Sequence, residues 1–227
     1  MMVNNEQAQR SIHCKAILFD MDGTLVDSTQ CVETIWSRWA HRNGIEPGRV
    51  LSVSHGRRTI DTLREIAPHT DIEAEARLLN AEELDARDGV KAIAGAAVIL
   101  QTLLHGRWAV VTSAGRALAE RRFRAADLPL PTVLVSADDV KEGKPHPAGY
   151  LMAAQLLDVA PHQCLVIEDT PAGILAGRAA NMQVLALTTT YPGTELLAAP
   201  CVRDFRDLSI LQARDGFELR FNSKMLE

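Results

Sequence analysis

Short apolar runs alternate with stretches of helical periodicity along most of this chain. Near-continuous apolar runs of this kind predict strands that are buried on both faces of a sheet. The runs cover residues 16–19, 108–113, 132–136, 164–169 and 184–187. The helical patterns cover residues 94–104, 116–126, 148–157 and 171–180. Because strands that alternate with helices are typical of βαβ units, we expect an α/β fold whose core is a doubly wound, Rossmann-like parallel sheet.

The segment between the first two of these strands has only helical patterns. Its first apolar residues recur at i, i+3, i+4 and i+7, which predicts one helix face; they are Val32, Ile35, Trp36 and Trp39. Further helices are predicted over residues 59–66 and 72–84, with a turn at Pro47-Gly48 and an exit at Arg87-Asp88-Gly89. We therefore expect a small all-α cap at residues 27–90, inserted after the first strand of an α/β core that comprises residues 1–26 and 91–227.

The two ends of the chain carry weaker patterns. Residues 1–11 are polar and lack an apolar signal core, so we expect a frayed leader and no export. Beyond Tyr191 the alternation weakens, and residues 217–221 are interpreted as either a final edge strand or a tail. No run of about 18 apolar residues is present, so no membrane partner is expected.

Composition and cysteine usage narrow the class of protein further. The formal net charge is −5, whereas a nucleic-acid-binding domain usually has a basic excess, so no nucleic-acid partner is expected. The four cysteines form no CxxC pair, which argues against a zinc site and predicts buried free thiols; they are Cys14, Cys31, Cys164 and Cys201. Free thiols indicate a reducing, cytoplasmic setting. No feature indicates self-association, and we expect a monomer.

Polar side chains follow three of the predicted strands at the point where each strand ends. They are Asp20 and Asp22, Thr112 and Ser113, and Glu168 and Asp169. In open α/β sheets, ligands bind in the crevice at the carboxyl ends of the strands, so these groups are expected to converge there. Lys144 supplies a cation from the loop 137–147, which precedes a predicted helix.

The first of these strand ends is the most informative. Asp20 and Asp22 are two positions apart, a spacing that points both side chains to one side of an extended chain. Two like charges held together need a cation or a shared proton. Carboxylates for a hard divalent ion, a hydroxyl and a lysine are together what a phosphate monoester site requires. A calcium loop of the EF-hand kind does not fit, because Thr24 and Leu25 occupy its fifth and sixth positions.

Four groups of residues resemble, in this order, the four motifs of the haloacid-dehalogenase-like phosphohydrolases. They are Asp20-Met21-Asp22-Gly23-Thr24, Thr112-Ser113, Lys144-Pro145 and Glu168-Asp169. The resemblance covers nearly the whole chain and places the helical insertion where that family carries its small cap. Residues 25–28 and 169–173 are similar to the branch that acts on small phosphorylated metabolites. Residues 54–59 and 143–147 are similar to sugar-phosphatase and glycerol-phosphate-phosphatase members.

This resemblance implies a mechanism and a metal. Asp20 would attack phosphorus and form an aspartyl-phosphate, and Asp22 would act as the general acid and then as the general base. Mg²⁺ would be held by the carboxylates of Asp20 and Asp169 and by the backbone carbonyl of Asp22. Glu168 would be a further ligand or a close neighbour of the ion.

The resemblance also implies which residues bind the phosphoryl group and the rest of the substrate. Thr112 and the backbone of Ser113 would bond phosphoryl oxygens, and Lys144 would neutralise their charge. Cap residues that could select a phosphorylated polyol are His55, Arg57 and Arg58. Asp27 and Ser28 have two open interpretations, as caps of the first cap helix or as members of the site.

The function expected from this pattern is Mg²⁺-dependent hydrolysis of a small phosphate ester, a sugar or sugar-alcohol phosphate in carbohydrate metabolism. A glycerol-3-phosphatase is the first alternative. A hexose-phosphate mutase is a second alternative. Two departures argue against it: such mutases have a histidine where this chain has Val32, and their cap arginine for a second phosphate would align at Thr59. A dehalogenase would not need the acid/base group at Asp22. A non-catalytic binding protein of the same fold is the alternative from another class.

Overall fold

The computed structural model describes residues 9–86, 89–103 and 107–222. Residues 1–8 of the expected leader, Arg87-Asp88 of the expected cap exit and Leu104 at the end of a predicted helix lie outside these described residues. Among the helices of the described ranges, none has both the length and the apolar character needed to cross a membrane.

Strands and helices of the described residues follow each other in the predicted alternation. The strands are β1 (Gln9–Cys14), β2 (Ala16–Phe19), β3 (Val26–Asp27), β4 (Lys91–Ala92), β5 (Trp108–Val111), β6 (Leu134–Val135), β7 (Cys164–Glu168), β8 (Gln183–Leu187), β9 (Cys201–Val202), β10 (Leu208–Ala213) and β11 (Gly216–Asn222). The helices are α1 (Thr29–Arg42), α2 (Pro47–Ser54), α3 (Thr59–Ile66), α4 (Ile72–Asp85), α5 (Ala96–Thr102), α6 (Arg116–Ala125), α7 (Ala148–Leu156) and α8 (Pro171–Ala179).

Six strands form one parallel sheet in the order β6-β5-β2-β7-β8-β9. Successive side chains of a strand point to opposite faces, so β2 contributes to a separate apolar cluster on each side. Ile17 and Phe19 pack in the cluster that α5 and α6 cover. Ala16 and Leu18 pack in the cluster that α7 and α8 cover. The predicted doubly wound α/β core is therefore confirmed.

Helices α1 to α4 lie between β3 and β4 and share an apolar cluster of their own. The predicted face of α1 is buried in it through Ile35, Trp36 and Trp39. Strand β3 pairs antiparallel with β4, so the two connections to the core run side by side at residues 26–27 and 91–92. The division into cap and core at 27 and 90 stays a prediction. The position of this two-stranded ribbon of β3 and β4 supports it.

Pro47-Gly48 begins a helix, so the interpretation of these residues as a turn alone was wrong. Proline at the first helical position is favourable because its missing N–H would have no partner there. The side chain of Glu46 accepts a hydrogen bond from the backbone N–H of Arg49 at 2.9 Å and caps this end of α2. Because α2 has only 8 residues, its helical pattern is weak, and the Pro-Gly pair therefore predicted a turn.

A small antiparallel sheet joins the two ends of the chain in the order β1-β11-β10. Part of the expected leader is thus a strand, from Gln9 onward, and residues 217–221 lie in the central strand rather than in an edge strand or a tail. The alternating side chains of Phe217, Leu219 and Phe221 are buried against the core. The strand order could not be read locally, because β1 and its partner come from opposite ends of the chain.

The tryptophans and cysteines lie where the sequence predicts. Trp36, Trp39 and Trp108 are core residues. All four cysteines are buried and free. Burial raises the pKa of Cys14 to about 12 and that of Cys164 to about 11, so neither thiol is poised for reaction.

Candidate active site

The loop after β2 brings its two acids to the carboxyl end of the sheet. The backbone turns back at Gly23, whose φ is +83° and whose N–H donates to the carbonyl of Val26 at 2.7 Å. A Cβ at this position would overlap the carboxylate of Asp169, which follows the neighbouring strand β7. Glycine is therefore required both for the positive φ and for the close approach of the two strand ends.

Lys144 lies at the centre of a buried cluster of charges. Its ammonium donates to Asp20 Oδ1, to Glu168 Oε1 at 2.7 Å and to the carbonyl of Val111 at 3.2 Å. No residue of the charged trio is more than 6% exposed. Buried charges of this kind are stable only when they are paired, so the loop that carries Lys144 and the ends of β2 and β7 are fixed relative to each other.

Glu168 is fully occupied by protein donors. Its Oε1 accepts from Lys144 and from the hydroxyl of Tyr150 at 3.1 Å. Its Oε2 accepts from the backbone N–H of Asp169 and from the backbone N–H and the hydroxyl of Thr170, each at 2.9 Å. These contacts hold the carboxylate against the sheet, so Glu168 orients Lys144 whether or not it also contacts an ion.

Asp169 has an oxygen to spare. Its Oδ1 accepts from the Thr24 hydroxyl at 2.9 Å, whereas Oδ2 is buried and has no hydrogen-bond partner among the described residues. One oxygen each of Asp20, Glu168 and Asp169 lie within 4.8 Å of one another. An unpartnered buried carboxylate oxygen beside further carboxylates suits a hard divalent cation, so the residues present fit such an ion.

The charges of this cluster do not balance within the protein. Burial raises the pKa of Asp20 to about 7 even though Lys144 acts in the opposite direction. Burial, followed by the charges of Glu168 and Asp20, raises the pKa of Asp169 well above its usual value. Burial alone would lower the pKa of Lys144, but the same carboxylates outweigh it and raise that pKa well above its usual range. Three carboxylates facing one ammonium leave an excess of negative charge that a divalent cation would neutralise.

Asp22 lies outside this cluster and is connected to the cap. Its Oδ1 accepts from the Ser28 hydroxyl at 2.6 Å, and its Oδ2 accepts from Nη1 of Arg122 at 2.8 Å. Nη2 of Arg122 in turn donates to Glu83 Oε2 of cap helix α4 at 2.8 Å. The side chain of Asp22 is 28% exposed to the crevice, while that of Arg122 is 5% exposed. Asp22 is thus the more accessible of the two acids that follow β2.

The two interpretations of Asp27 and Ser28 are resolved by these contacts. Ser28 is the N-cap residue of α1 but makes no side-chain capping bond, and its hydroxyl instead donates to Asp22. Asp27 Oδ1 accepts from the backbone N–H of Thr29 at 3.3 Å and its carboxylate lies 3.4 Å from Lys91 Nζ. Ser28 therefore contacts the site, whereas Asp27 serves the start of α1 and the ribbon.

Thr112 and Ser113 follow strand β5 and line the crevice. The Thr112 hydroxyl accepts from the backbone N–H of Ala114 at 3.1 Å, which orients this loop just before α6 begins. The Ser113 hydroxyl donates to the carbonyl of Gly56 in the cap at 2.9 Å. Helix α6 directs its N-terminus, with the positive end of its dipole, toward this loop, a favourable place for an anion.

The three cap residues expected at the substrate have different positions. His55 and Arg57 line the crevice. Burial lowers the pKa of His55, whose ring packs edge-on against Tyr191 with 6.2 Å between ring centroids. Nη1 of Arg57 donates to Glu65 at 2.6 Å, so its charge is already paired.

Arg58 is not brought to the crevice. It forms a two-pronged ion pair with Asp61 and donates to the carbonyls of Val140 and Lys141. It lines a smaller cavity between the cap and the loop that carries Lys144. The residues of the charged loop 55–58 therefore have different roles. Arg58 joins the cap to the core, whereas His55 and Arg57 face the crevice.

Three residues at the site are not evident from motifs. Glu83 and Arg122 are buried charges on helices α4 and α6, and Tyr150 is buried on α7. A signal for the first two is present in the sequence. Glu83 lies four residues after Leu79, and Arg122 lies four residues after Leu118, so each charge falls on the apolar face of its helix. A charge at such a position must find a partner in the interior.

The sequence model of the haloacid dehalogenase-like hydrolases matches residues 14–181. This range includes all four motifs and the helical insertion. The chain belongs to this family of hydrolases, as its four motifs indicated.

Relatives narrow the comparison to phosphatases of small molecules. Hexitol phosphatase A of Escherichia coli (strain K12) is 45% identical over 181 residues, which is 78% of this chain and 84% of that protein. Glycerol-1-phosphate phosphohydrolase 2 of Saccharomyces cerevisiae is 34% identical over 194 residues, which is 80% of this chain and 77% of that protein. A solved hydrolase from Pseudomonas syringae superposes with a TM-score of 0.75 at 27% identity, covering 84% of this chain and 93% of its own.

Proposed function

We propose that this protein is a Mg²⁺-dependent phosphatase that hydrolyses sugar or sugar-alcohol phosphates through an aspartyl-phosphate on Asp20. The observation that carries the proposal is the buried contact of Asp20 with the Lys144 ammonium in a cluster of acids that could hold a metal ion. One oxygen each of Asp20, Glu168 and Asp169 lie within 4.8 Å of one another, and Asp169 Oδ2 has no hydrogen-bond partner among the described residues. Asp22 faces the same crevice from two residues further along the chain. A nucleophile, a cation, a metal-binding acid and an acid/base group thus meet at one place.

In the first step the Asp20 carboxylate attacks phosphorus and the bond from phosphorus to the ester oxygen breaks. The departing alkoxide takes a proton from Asp22 and leaves as the alcohol. Lys144 and the Thr112–Ser113 loop are the donors that would stabilise the phosphoryl oxygens during this transfer. The product on the enzyme is a mixed anhydride between the Asp20 carboxyl and phosphate.

In the second step a water molecule attacks the phosphorus of this anhydride. Its proton passes to Asp22, now a carboxylate, and the bond from phosphorus to the Asp20 oxygen breaks. Asp20 is regenerated as a carboxylate, inorganic phosphate is released, and Asp22 is again protonated for the next substrate. Two roles for one residue require its carboxyl group to be held accurately.

Asp20, Asp169 and the backbone carbonyl of Asp22 would hold the Mg²⁺ ion, whose charge stabilises the phosphoryl group when it is bound. Glu168 keeps Lys144 in place through its own contacts and would be a neighbour of the ion or a further ligand. The excess of negative charge in this cluster supports the choice of a divalent cation. Mg²⁺ suits the site because it is bound by a few carboxylates together with substrate phosphate oxygens.

The lining of the crevice supports a neutral, hydroxyl-rich leaving group. The cations that line it are paired with acids of the protein, Arg57 with Glu65 and Arg122 with Asp22 and Glu83. Protein carboxylates therefore already balance the charges of both arginines, which supports a substrate without a second phosphate or carboxylate. Polar groups without charge remain for hydroxyls; they include Ser54, Thr59 and Asn80.

Hydrolysis rather than phosphoryl transfer between sugars is supported by two lining residues. Val32 and Thr59 occupy the positions where the resemblance places the histidine and arginine of hexose-phosphate mutases, and both line the crevice. Neither can hold a second phosphate by charge. The cavity is about 70 Å³, well below the roughly 300–1,000 Å³ of a ligand pocket, which supports a cap that moves when substrate enters.

Glycerol phosphate is the second candidate substrate, because a glycerol-1-phosphate phosphohydrolase is among the relatives. We also propose that the protein works as a cytoplasmic monomer without nucleic-acid or membrane partners. The four buried free thiols support the reducing compartment.

Phosphate release from a panel of hexose, hexitol and glycerol phosphates, with and without Mg²⁺, tests the proposed function. We expect turnover of hexitol or hexose phosphates that depends on the ion. Asp20→Asn should abolish turnover while the far-ultraviolet circular dichroism stays unchanged. Asp27→Asn, on the same connection but outside the crevice lining, is the matched control and should retain activity. Retained turnover in Asp20→Asn would overturn the mechanism, and a preference for glycerol phosphate over every hexose and hexitol phosphate would overturn the substrate class.

A further inference from the structure

We propose that Arg122 positions the Asp22 carboxylate for hydrolysis of the aspartyl-phosphate, and that Glu83 of the cap holds Arg122 in place for this purpose. The inference rests on the function proposed above, because Asp22 has a water proton to accept only if Asp20 carries phosphate. Arg122 is a positioning residue in this proposal, since it acts through Asp22 and not on the reacting atoms.

Both oxygens of Asp22 accept hydrogen bonds from protein donors. Ser28 donates to Oδ1 at 2.6 Å, and Nη1 of Arg122 donates to Oδ2 at 2.8 Å. Two fixed oxygens define the plane of the carboxylate and leave one rotamer for the side chain. An acid that accepts at both oxygens is arranged as a proton acceptor, which is the role of Asp22 in the second step.

The orientation of Arg122 depends on the cap. Its guanidinium is planar, with its donors in a rigid fork, and the second arm of the fork donates to Glu83 Oε2 at 2.8 Å. Arg122 is 4% exposed and Glu83 is 8% exposed, so this contact is shielded from water. Arg122 itself belongs to core helix α6, while Glu83 belongs to cap helix α4.

This arrangement couples the position of the base to closure of the cap. With the cap closed, both arms of the Arg122 fork are occupied and the Asp22 carboxylate is held. When the cap moves away with α4, Glu83 leaves and one arm of the fork loses its partner. The base is therefore best ordered while the crevice is closed and the aspartyl-phosphate is shielded from bulk solvent.

The alternative is that Arg122 only stabilises the contact between cap and core. The neighbouring residue Arg121 allows this alternative to be distinguished from the positioning role. Nη2 of Arg121 donates to the carbonyl of Ala86 at 2.8 Å, so it also joins α6 to the residue that follows α4. Arg121 does not line the crevice and does not contact Asp22. Arg121→Lys is therefore a matched control for any effect that comes from cap-to-core contact alone.

The test uses 4-nitrophenyl phosphate with Mg²⁺ and the full chain. Its leaving group departs without a proton, so formation of the aspartyl-phosphate does not need Asp22, whereas its hydrolysis does. Arg122→Gln and Arg122→Lys are compared with Arg121→Lys by steady-state and rapid-mixing kinetics. Arg122→Lys retains the positive charge but not the fork, and it decides the result if Arg122→Gln fails to fold.

We expect kcat and KM to fall together in the Arg122 variants, by about 10- to 100-fold, because a misplaced base slows only the second step. The ratio kcat/KM, which reports formation of the intermediate, should stay within about 3-fold of wild type. A burst of 4-nitrophenolate should approach one equivalent per enzyme.

Three results would overturn the inference: unchanged kcat in both Arg122 variants, an equal loss of kcat/KM and kcat, or the same pattern in Arg121→Lys. If wild-type protein releases no phosphate from any ester, the proposed function fails instead. The two failures are thus distinguishable.

Discussion

The two acids after β2 lie in contrasting surroundings although only one residue separates them. Asp20 is 3% exposed and is held by Lys144, which in turn is held by Glu168, so all of its fixed neighbours belong to the core. Asp22 is open to the crevice and is held by Ser28 and by Arg122, which also contacts the cap. The proposed nucleophile is therefore held by core residues, whereas the proposed acid/base group is held by an arginine that also contacts the cap.

This contrast indicates which of the two carboxylates must be held rigidly. Attack on phosphorus requires one fixed oxygen, and the ends of parallel strands supply it regardless of what covers them. In the proposed mechanism, proton transfer involves the leaving group and then the water molecule, and the proposed acid Asp22 is linked to the cap through Arg122 and Glu83. We expect perturbations of the buried cluster to affect both stability and chemistry, and perturbations near Asp22 to affect mainly chemistry.

Lys144→Met should have the largest effect. It leaves the carboxylates of Asp20 and Glu168 buried without their cation, and breaking a buried pair in this way costs about 3–5 kcal/mol. Urea denaturation should show a loss of that order, and phosphate release should disappear. The control is Lys141→Met in the same loop, whose side chain is exposed. Unchanged stability in Lys144→Met would remove the distinction between the two regions.

Removal of the divalent ion should have the next largest effect. Mg²⁺ at about 100 times its Kd should raise the free energy of unfolding by about 2.7 kcal/mol, and chelation should reverse this and stop turnover. Asp169→Asn should lose most of this dependence, because it removes the charge of the unpartnered oxygen. Thermal unfolding with and without Mg²⁺ measures both. If Ser28→Ala lost the same ion-dependent stabilisation, the ion would not belong to the buried cluster alone.

Ser28→Ala should have a moderate and mainly kinetic effect. It deletes the donor to Asp22 Oδ1, and one such hydrogen bond to a partly exposed charged group contributes about 1 kcal/mol or somewhat more. We expect kcat to fall several-fold with little change in the thermal midpoint. Ser52→Ala, an exposed serine of α2, is the control. A destabilisation as large as that of Lys144→Met would contradict the division drawn here.

His55→Asn should have the smallest effect, confined to acid pH. Burial lowers the pKa of His55, while the carboxylates of Glu33 and Asp22 act against this. The unfolded chain then binds a proton more readily than the native one, so stability falls as pH decreases below about 6.5, the unfolded value. His55→Asn should reduce the difference between the free energies of unfolding at pH 5 and pH 7.5 by less than about 1 kcal/mol, as measured by denaturation at both pH values. His41→Asn, on the exposed side of α1, should leave the slope as it is.

The local patterns predicted the buried parallel strands, most helices and the acids that follow β2 and β7. They were wrong about Pro47-Gly48, because a proline both ends and begins helices and only the Glu46 cap identifies which. They placed residues 217–221 in an edge strand or a tail, whereas β1 and β10 flank that strand on both sides. Pairing partners far apart in sequence leave no local signal, since a strand shows only which of its faces is buried.

The amino-acid pattern alone predicted the alternation of strands and helices, the convergence of Asp20, Thr112, Lys144 and Asp169 at one end of the sheet, and the family. Periodicity and strand-end position are properties of the chain, and parallel strands with right-handed crossovers allow few other outcomes. Only the tertiary structure decided that Arg58 binds the Lys144 loop while Arg122 reaches Asp22. A long cationic side chain takes whichever carboxylate or carbonyl lies within its reach, and that choice is made by the packing of cap against core.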